Sequence, residues 1–243
     1  MILGVLQARM SSRRLPGKVV APILDRPMIL RQLERLERSR AMTRLVVATS
    51  ADPSDDPLAG VLDAAGYGLF RGSLDDVLDR MYRASLPYRP QHVVRLTADC
   101  PVADWRCIDE LIAFHLAGRY DYSTNTLEPT LPDGMDAEVM TTATFEAAWQ
   151  RAKTAREREH VTPYIYESGN FSIGIWKNIE NLSDYRLTVD QQEDLDLIRN
   201  IYNDLYRYNS DFSLDDILDW LRAHPDHAKS NMHFQRNEAL KTK

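Results

Sequence analysis

The 243-residue sequence lacks the features that mark secreted, zinc-binding and membrane-spanning proteins. Its two cysteines, Cys100 and Cys107, are too few for a disulfide framework, and neither belongs to the paired CxxC arrangement of a zinc site. No apolar run approaches the roughly 20 residues that a membrane-spanning helix needs. The chain begins with MILGVLQARM, which has no basic segment ahead of a cleavable apolar stretch. These absences predict a cytoplasmic protein that does not enter the membrane.

An excess of basic residues and the common glycine-rich phosphate motifs are also missing. The net charge of −6 argues against a protein that coats nucleic-acid phosphates. No GxGxxG follows a predicted strand. The segment around Gly17 is not a Walker loop, because Ser12 stands five positions earlier in place of glycine and Val19 replaces the Mg²⁺-binding hydroxyl residue. ATPase, kinase and dehydrogenase functions are therefore disfavoured.

The sequence does contain short apolar runs that alternate with segments of helical period, which is typical of an α/β fold with a mostly parallel sheet. Strands are predicted at residues 2–6, 45–49, 67–70, 92–97 and 185–189. Helices are predicted around residues 28–36, 56–65, 74–82, 105–116, 145–152, 193–206 and 213–221. The charged residues of the first helix are expected to face water for the most part, namely Arg31, Glu34, Arg35, Glu37 and Arg38.

Hydrophobic residues make up 44% of the chain, which is enough to bury the core of a single domain spanning residues 1–243. Between residues 120 and 176, however, Pro129, Pro132 and Gly134 interrupt the regular alternation. We expect this part, about residues 121–178, to be a small inserted subdomain with short strands and one helix.

A basic loop follows the first predicted strand. It contains Arg9, Arg13, Arg14 and Lys18 within ten residues. Ligands of open α/β sheets bind at the carboxyl ends of the strands, and arginine and lysine donate hydrogen bonds to phosphate oxygens. Small residues in the loop allow the backbone to approach a ligand, namely Ala8, Ser11, Ser12 and Gly17. The loop predicts a triphosphate site, and the alternative is a solvated loop with scattered ion pairs.

Two aspartates follow other predicted strands at the same sheet edge. Asp99 lies in LTADCP and Asp190 lies in LTVDQQED. Mg²⁺ prefers oxygen ligands and often bridges one or two carboxylates to substrate phosphates, so the pair is a candidate Mg²⁺ site. The alternative is helix capping, in which Asp190 would cap the helix that follows it.

Two further groups of residues are candidates for binding the substrates. Arg71 and Ser73 follow a predicted strand, where they are suited to contact a base or a ribose, although Ser73 is equally suited to cap the next helix. The other group is suited to bind an acceptor and comprises Asp136, Glu138, Glu157, Arg158 and His160. A single histidine such as His160 is also compatible with a structural role.

With these residues identified, the chain resembles the family of spore-coat polysaccharide protein F. That family belongs to the larger group of CMP-sugar-acid synthetases, which activate KDO and N-acylneuraminic acids. The resemblance covers nearly the whole chain, in the order QARMSSRRLPGK, VATS, FRGSLDDVLDR, VVRLTADCP, DGMDAEV, EREHVTPYIY and RLTVDQQEDL.

The resemblance implies a Rossmann-like nucleotidyltransferase fold, CTP as donor, Mg²⁺ as cofactor, and homodimerisation through the inserted segment. It implies metal binding by Asp99 and Asp190, and catalytic triphosphate binding by Arg9, Arg14 and Lys18. The implied nucleotide-binding residues are Leu6, Ala8, Arg9, Arg14, Lys18, Arg71 and Ser73. The chain departs from the family at Ser11, where glycine is usual, and a requirement for positive φ there would strain the loop.

The expected reaction is the transfer of CMP from CTP to a small acidic sugar of the nonulosonic type or a related acceptor, in surface polysaccharide biosynthesis, with release of pyrophosphate. Two alternatives stay open. One is a glycosyltransferase that consumes a nucleotide sugar through a similar sheet and paired aspartates, although the basic loop favours a triphosphate donor. The other is a nucleotide-binding protein without catalysis, for which Ser11 is the motivating observation.

Overall fold

The computed structural model describes residues 1–234 and 236. Its strands are β1 (Ile2–Gln7), β2 (Pro22–Ile23), β3 (Arg26–Pro27), β4 (Arg44–Ser50), β5 (Leu69–Gly72), β6 (His92–Thr97), β7 (Tyr122–Thr124), β8 (Glu138–Thr141) and β9 (Ile173–Ile175). Its helices are α1 (Met28–Leu36), α2 (Asp56–Ala64), α3 (Val77–Ser85), α4 (Trp105–Gly118), α5 (Thr142–Arg151), α6 (Ala155–His160), α7 (Pro163–Glu167), α8 (Gln192–Leu205), α9 (Leu214–Ala223) and α10 (Pro225–Lys229).

A seven-stranded sheet in the order β5-β4-β1-β6-β8-β7-β9 forms the centre of the molecule. Its first four strands are parallel, and β8 is antiparallel to both β6 and β7. β1 is buried on both faces because helices cover the sheet on each side, which explains its continuous apolar sequence. The predicted α/β class with a mostly parallel sheet and flanking helices is confirmed.

The segment of residues 121–178 adds β7, β8 and β9 to this sheet and carries α5, α6 and α7. The sequence predicted one helix here, so the prediction was wrong in number. The two additional helices are only six and five residues long, which is too short for a clear apolar period to appear in the sequence.

The prediction of a strand at 185–189 was also wrong. This segment is buried, but it makes an isolated bridge between Asp133 and Arg186 rather than a ladder. The Leu187 amide donates to the Asp133 carbonyl, and the Val189 amide donates to the Asp99 carbonyl. Because its partners are loops that leave the sheet, no neighbouring strand is available to continue the pairing.

The expectation that the charged residues of α1 mostly face water was wrong for Arg31 and Arg35. Both side chains are buried, since α1 lies between the sheet and the C-terminal helices. Arg35 donates to the carbonyls of Val102, Ala103 and Phe212, and its guanidinium covers the Phe212 ring. The aliphatic stem of arginine packs in an apolar layer while its planar head pairs with carbonyls, so amphipathic periodicity alone does not reveal this burial.

Candidate active site

The loop after β1 is held in a compact shape by its own backbone. The Met10 carbonyl accepts hydrogen bonds from the amides of Ser12 and Gly17. Gly17 has a φ of 73°, a left-handed conformation that glycine adopts without strain. Ser11 is not among the described residues with positive φ. The departure from the family's glycine at Ser11 therefore causes no backbone strain.

A buried aspartate attaches this loop to the end of β4. Asp55 is fully buried, and its Oδ1 accepts a hydrogen bond of 2.6 Å from the Met10 amide. Its Oδ2 accepts from Thr49 Oγ1 and from both the amide and the hydroxyl of Ser50. The carboxylate thus joins two strand ends at the predicted triphosphate site.

Lys18 extends from the end of the loop to a position between the two predicted metal-binding aspartates. Its Nζ donates to the Val189 carbonyl at 2.5 Å and to Asp190 Oδ1 at 2.8 Å, and it lies 3.6 Å from Asp99 Oδ2. Burial opposes the charged form of Lys18, but the two carboxylates outweigh burial and raise its pKa. Lys18 therefore carries its charge between the two carboxylates.

Asp190 is surrounded by cations. Besides Lys18, it meets Arg14 Nη2 at 2.6 Å and Arg186 Nη2 at 3.3 Å. Burial alone would raise the pKa of Asp190, yet Lys18 and Arg14 together lower it to about 2. Asp190 does not cap α8, because Gln191 is the N-cap residue and forms a capping box with Asp194. The capping alternative for Asp190 is therefore excluded.

Asp99 and Asp190 offer oxygen donors to the same point, since both approach Lys18 Nζ and both line one cavity. Carboxylate oxygens are the donors that Mg²⁺ prefers, so the two residues fit a hard divalent cation. Within residues 1–234 and 236, no group of three or more His, Cys, Asp or Glu side chains is arranged to hold a metal. A cation here would depend on these two carboxylates together with waters and substrate phosphates.

The cavity beside them has a volume of about 310 Å³. Six predicted site residues line it, namely Arg14, Asp99, Asp136, Glu138, His160 and Asp190. Burial chiefly raises the pKa of Asp136 to about 7, against the opposing effect of the nearby Arg236 guanidinium. The cavity thus combines the phosphate-side loop with residues from β6, β8 and the segment before α8.

The remaining predicted nucleotide-binding residues lie outside this cavity lining. Leu6 and Ala8 are buried in the core, so only their backbone is available to a nucleotide. Arg9 is partly buried and near Arg80, whose pKa is lowered to about 10 by its own burial and then by Arg9. Arg71 is committed elsewhere, because it donates to the carbonyls of Ser50 and Asp52 and to the Asp56 carboxylate.

Three other candidates form hydrogen bonds or ion pairs within the protein. Ser73 Oγ accepts a hydrogen bond from the Asp76 amide, while Asp76 itself is the N-cap residue of α3. Arg158 forms an ion pair with Asp76 at 2.6 Å. Glu157 closes a capping box with Thr154 at the start of α6. Of the candidates Glu157, Arg158 and His160, only His160 lines the cavity.

Several charged residues at the cavity were not predicted. Arg186 donates to Asp133, Asp190 and Asp194, and Arg236 pairs with Asp136. The cavity lining also contains Arg95, from the middle of β6. Arg95 could have been identified from the sequence, because a charged residue stands inside the apolar run VVRLT. The contacts of Arg186 with Asp133 and of Arg236 with Asp136 join distant segments, and no local sequence pattern indicates them.

Comparison with known proteins decides the family. The cytidylyltransferase family profile matches residues 3–215 of this chain. The chain belongs to the cytidylyltransferase family. It is 37% identical over 210 residues to an uncharacterised protein of Methanocaldococcus jannaschii, covering 81% of this chain and 85% of that protein. It is 31% identical over 235 residues to the spore coat polysaccharide biosynthesis protein SpsF of Bacillus subtilis, covering 93% and 96%.

Other members of the family share part of the sequence or the fold. The chain is 32% identical over 117 residues to the 3-deoxy-manno-octulosonate cytidylyltransferase of Anaeromyxobacter dehalogenans, covering 47% of each. A solved cytidylyltransferase from Leptospira borgpetersenii has a TM-score of 0.89 and 32% identity, with coverage of 97% of this chain and 99% of that chain. A CMP-KDO synthetase solved with CTP shares the fold, with a TM-score of 0.65 at 16% identity and coverage of 83% and 98%.

Family membership makes the chain a nucleotidyltransferase and disfavours the glycosyltransferase alternative. The expected resemblance to spore-coat protein F and to the CMP-KDO synthetases is confirmed. No helix among the described residues is both long and apolar enough to cross a membrane.

Proposed function

We propose that this protein transfers CMP from CTP to a small acidic sugar and releases pyrophosphate, in the biosynthesis of a surface polysaccharide. One observation carries the proposal: Lys18, from the loop after β1, lies between the carboxylates of Asp99 and Asp190, and these two carboxylates line a cavity. In this proposal Lys18 would bind the triphosphate, the two carboxylates would bind a cation, and the adjacent cavity would hold the acceptor.

The donor triphosphate would lie along the loop after β1. Arg9, Arg14 and Lys18 supply positive charge there, and the compact backbone around Met10 allows close approach. Arg14 and Lys18 both contact Asp190, so the phosphates would sit beside the metal carboxylates. In-line attack by an acceptor hydroxyl on the α-phosphorus forms the new P–O bond, and pyrophosphate leaves with the electrons of the broken bond.

Mg²⁺ is the proposed cofactor, held by Asp99 and Asp190. When bound, it would neutralise the charge that develops on the phosphoryl oxygens and lower the pKa of a coordinated hydroxyl. A related fold was solved with manganese in a mycobacterial protein, which supports divalent-cation binding by this architecture. Arg14, Lys18 and Arg186 hold Asp190 ionised and therefore ready for a cation.

The acceptor would occupy the cavity of about 310 Å³. This volume is at the small end of the roughly 300–1,000 Å³ that is typical of small-molecule sites, and it suits one monosaccharide unit. Asp136, Glu138 and His160 line it; Asp136 and His160 are proposed to contact the acceptor, and Glu138 to position the side chains around it. Glu157 and Arg158 are proposed to support this region indirectly, through the α6 capping box and the ion pair with Asp76.

Arg71 and Ser73 are the proposed nucleoside-side residues, since Arg71 lies near the end of β5 and Ser73 follows it, at the same end of the sheet as the loop after β1. We also propose a homodimer formed through residues 121–178. Its support is that β9 is the edge strand of the sheet and that Ile179, one residue beyond this segment, is fully exposed. Light scattering coupled to gel filtration measures this directly, and a mass near 27.9 kDa would contradict it.

The function is tested by pyrophosphate release from CTP, ATP, GTP and UTP with Mg²⁺. The acceptor panel contains KDO, N-acetylneuraminate and other nonulosonic acids. We expect release from CTP with one acid of the panel and loss of release in EDTA. CTP binding without release from any pair would favour the non-catalytic alternative, although Ser11, which motivated that alternative, is unstrained.

A further inference from the structure

Arg95 occupies a fixed position on the floor of the cavity. It lies in β6, directly opposite Glu138 in the register with β8, and 15% of its side chain is exposed. Its Nη1 donates to Glu138 Oε2, and its Nε donates to Gln7 Oε1 at 3.1 Å. Two strands thus hold the guanidinium in one orientation.

The partner carboxylate is itself immobilised. Glu138 is buried, and its Oε1 accepts hydrogen bonds from the Tyr122 hydroxyl and from Thr162 Oγ1, the latter at 2.7 Å. With both oxygens occupied, Glu138 serves to orient Arg95 and has little remaining capacity for an acceptor. Such support from neighbouring elements is the usual requirement for a rigid binding group.

The third nitrogen of the Arg95 guanidinium is uncommitted. Nη2 has no hydrogen-bond partner among the described residues, and it is not fully buried. By contrast, every nitrogen of the nearby Arg186 guanidinium donates to an aspartate. Since Arg95 lines the cavity, its free donors face the space in which an acceptor would lie.

We propose that Arg95 Nη2 binds the anionic group, a carboxylate, of the acceptor and so determines the preference for acidic acceptors. This inference rests on the proposed function. Arginine is suited to this role because its planar fork can hold Glu138 with one nitrogen and a second carboxylate with another.

The position of Arg95 relative to the reaction centre supports the assignment. Arg95 and Thr97 are on the same face of β6, and both line the cavity together with Asp99 just beyond the strand. Gln7 lies opposite Thr97 in the sheet. The hydrogen bond from Arg95 Nε to Gln7 Oε1 therefore orients the guanidinium towards the carboxyl end of β6. An acceptor held by Arg95 would therefore extend towards Asp99.

Several other acidic groups of the cavity have cationic partners of their own. Asp133 is paired with Arg186, and Asp136 with Arg236. Asp190 is paired with Lys18 and Arg14. Because Asp133 and Asp190 are compensated, they oppose an acceptor anion at Arg95 less than Asp136 does once Asp136 is ionised.

The test compares each acid of the panel with its methyl ester, using wild type, Arg95→Gln and Arg95→Lys. Binding is measured by titration calorimetry and turnover by pyrophosphate release. We expect Arg95→Gln to weaken binding of the acid and raise its KM by about 10- to 100-fold, the usual effect of losing one charge-assisted hydrogen bond. Binding of the ester and the KM for CTP should change by less than about twofold. Arg95→Lys should restore part of the loss.

The double variant Arg95→Gln with Glu138→Gln controls for a folding defect in the single variant, because it leaves no unpaired buried carboxylate. The exposed Arg207 supplies the matched control as Arg207→Gln. Equal losses for acid and ester, or a changed KM for CTP alone, would overturn the role of Arg95 while leaving the transferase function intact. CTP-dependent turnover of neutral acceptors only would overturn it as well. Absence of pyrophosphate release by wild type would instead count against the proposed function. In that case the calorimetric binding of the acids and esters would still decide the role of Arg95.

Discussion

Lys18 and Asp190 are 172 positions apart in the sequence and form an ion pair in which Nζ lies 2.8 Å from Oδ1. The pair joins the phosphate-side loop to the segment that carries the second candidate metal ligand. Arg186 extends the same network from Asp190 to Asp133 at the acceptor cavity. A substitution at any of these positions therefore changes the electrostatics of both halves of the site.

Asp190→Asn should abolish pyrophosphate release, with a loss of at least about 1,000-fold in kcat. The substitution removes a metal ligand and leaves Arg14, Lys18 and Arg186 without their shared anion. Steady-state kinetics with CTP and the preferred acid measures the loss, and circular dichroism checks the fold. The exposed Asp196→Asn on α8 is the matched control. Normal turnover by Asp190→Asn would remove Asp190 from the metal site.

The KM for the acidic acceptor should rise by about 3- to 10-fold between pH 6 and pH 8. The pKa of Asp136 is raised to about 7, chiefly by burial, so this group becomes negative over that interval and repels an acidic acceptor. KM measured at several pH values for wild type and Asp136→Asn tests this, because the variant should show a flat profile. An unchanged slope in the variant would assign the titration to another group.

The same shift predicts the pH dependence of stability. The pKa of Asp136 in the folded protein lies above its ordinary 3.8, so the folded protein binds the carboxyl proton of Asp136 more tightly than the unfolded chain does. The contribution to stability is present below pH 4 and lost as the pH rises through about 7. Thermal unfolding should therefore show a larger Tm gain from Asp136→Asn at pH 8 than at pH 5, and equal gains would contradict the assignment.

Asp55→Asn should raise the KM for CTP and lower the free energy of unfolding by about 2 kcal/mol. The side-chain amide of asparagine has only one oxygen, so it cannot accept all the hydrogen bonds that the buried Asp55 carboxylate receives from Met10, Thr49 and Ser50. CTP titration and urea denaturation measure the two effects. The exposed neighbour Asp63→Asn is the control. A loss of stability without any change in CTP affinity would limit Asp55 to a structural role.

Gly134→Ala should destabilise the protein by about 2–4 kcal/mol and reduce turnover. Gly134 has a φ of 107°, and an added Cβ would lie 2.5 Å from the Leu187 carbonyl carbon. The substitution would displace the backbone that leads to Asp190. Gly60→Ala is the control, because nothing lies within 4 Å of its added Cβ and a helical alanine is favoured over glycine. Equal unfolding free energies for the two variants would contradict this explanation.

Local sequence patterns predicted the first four parallel strands of the sheet and most of the larger helices. Val94 and Leu96 in β6, for instance, belong to a run that is buried because helices cover both faces of the sheet. The segment around Leu187 is equally apolar, yet it makes no ladder, because its hydrogen-bonding partners are loops. An apolar run indicates burial, but the presence of a neighbouring strand depends on the rest of the fold.

The sequence by itself determined the fold class, the basic loop after β1 and the two aspartates at strand or segment ends, since each depends on residues close together in the chain. Only the tertiary structure decided that Lys18 lies between Asp99 and Asp190, that Arg95 is oriented by Glu138, and that Arg71 and Glu157 have structural partners instead of a place in the cavity lining. These contacts join separate elements. Ion-pair distances, burial and the resulting pKa shifts arise from packing between those elements, which no local pattern contains.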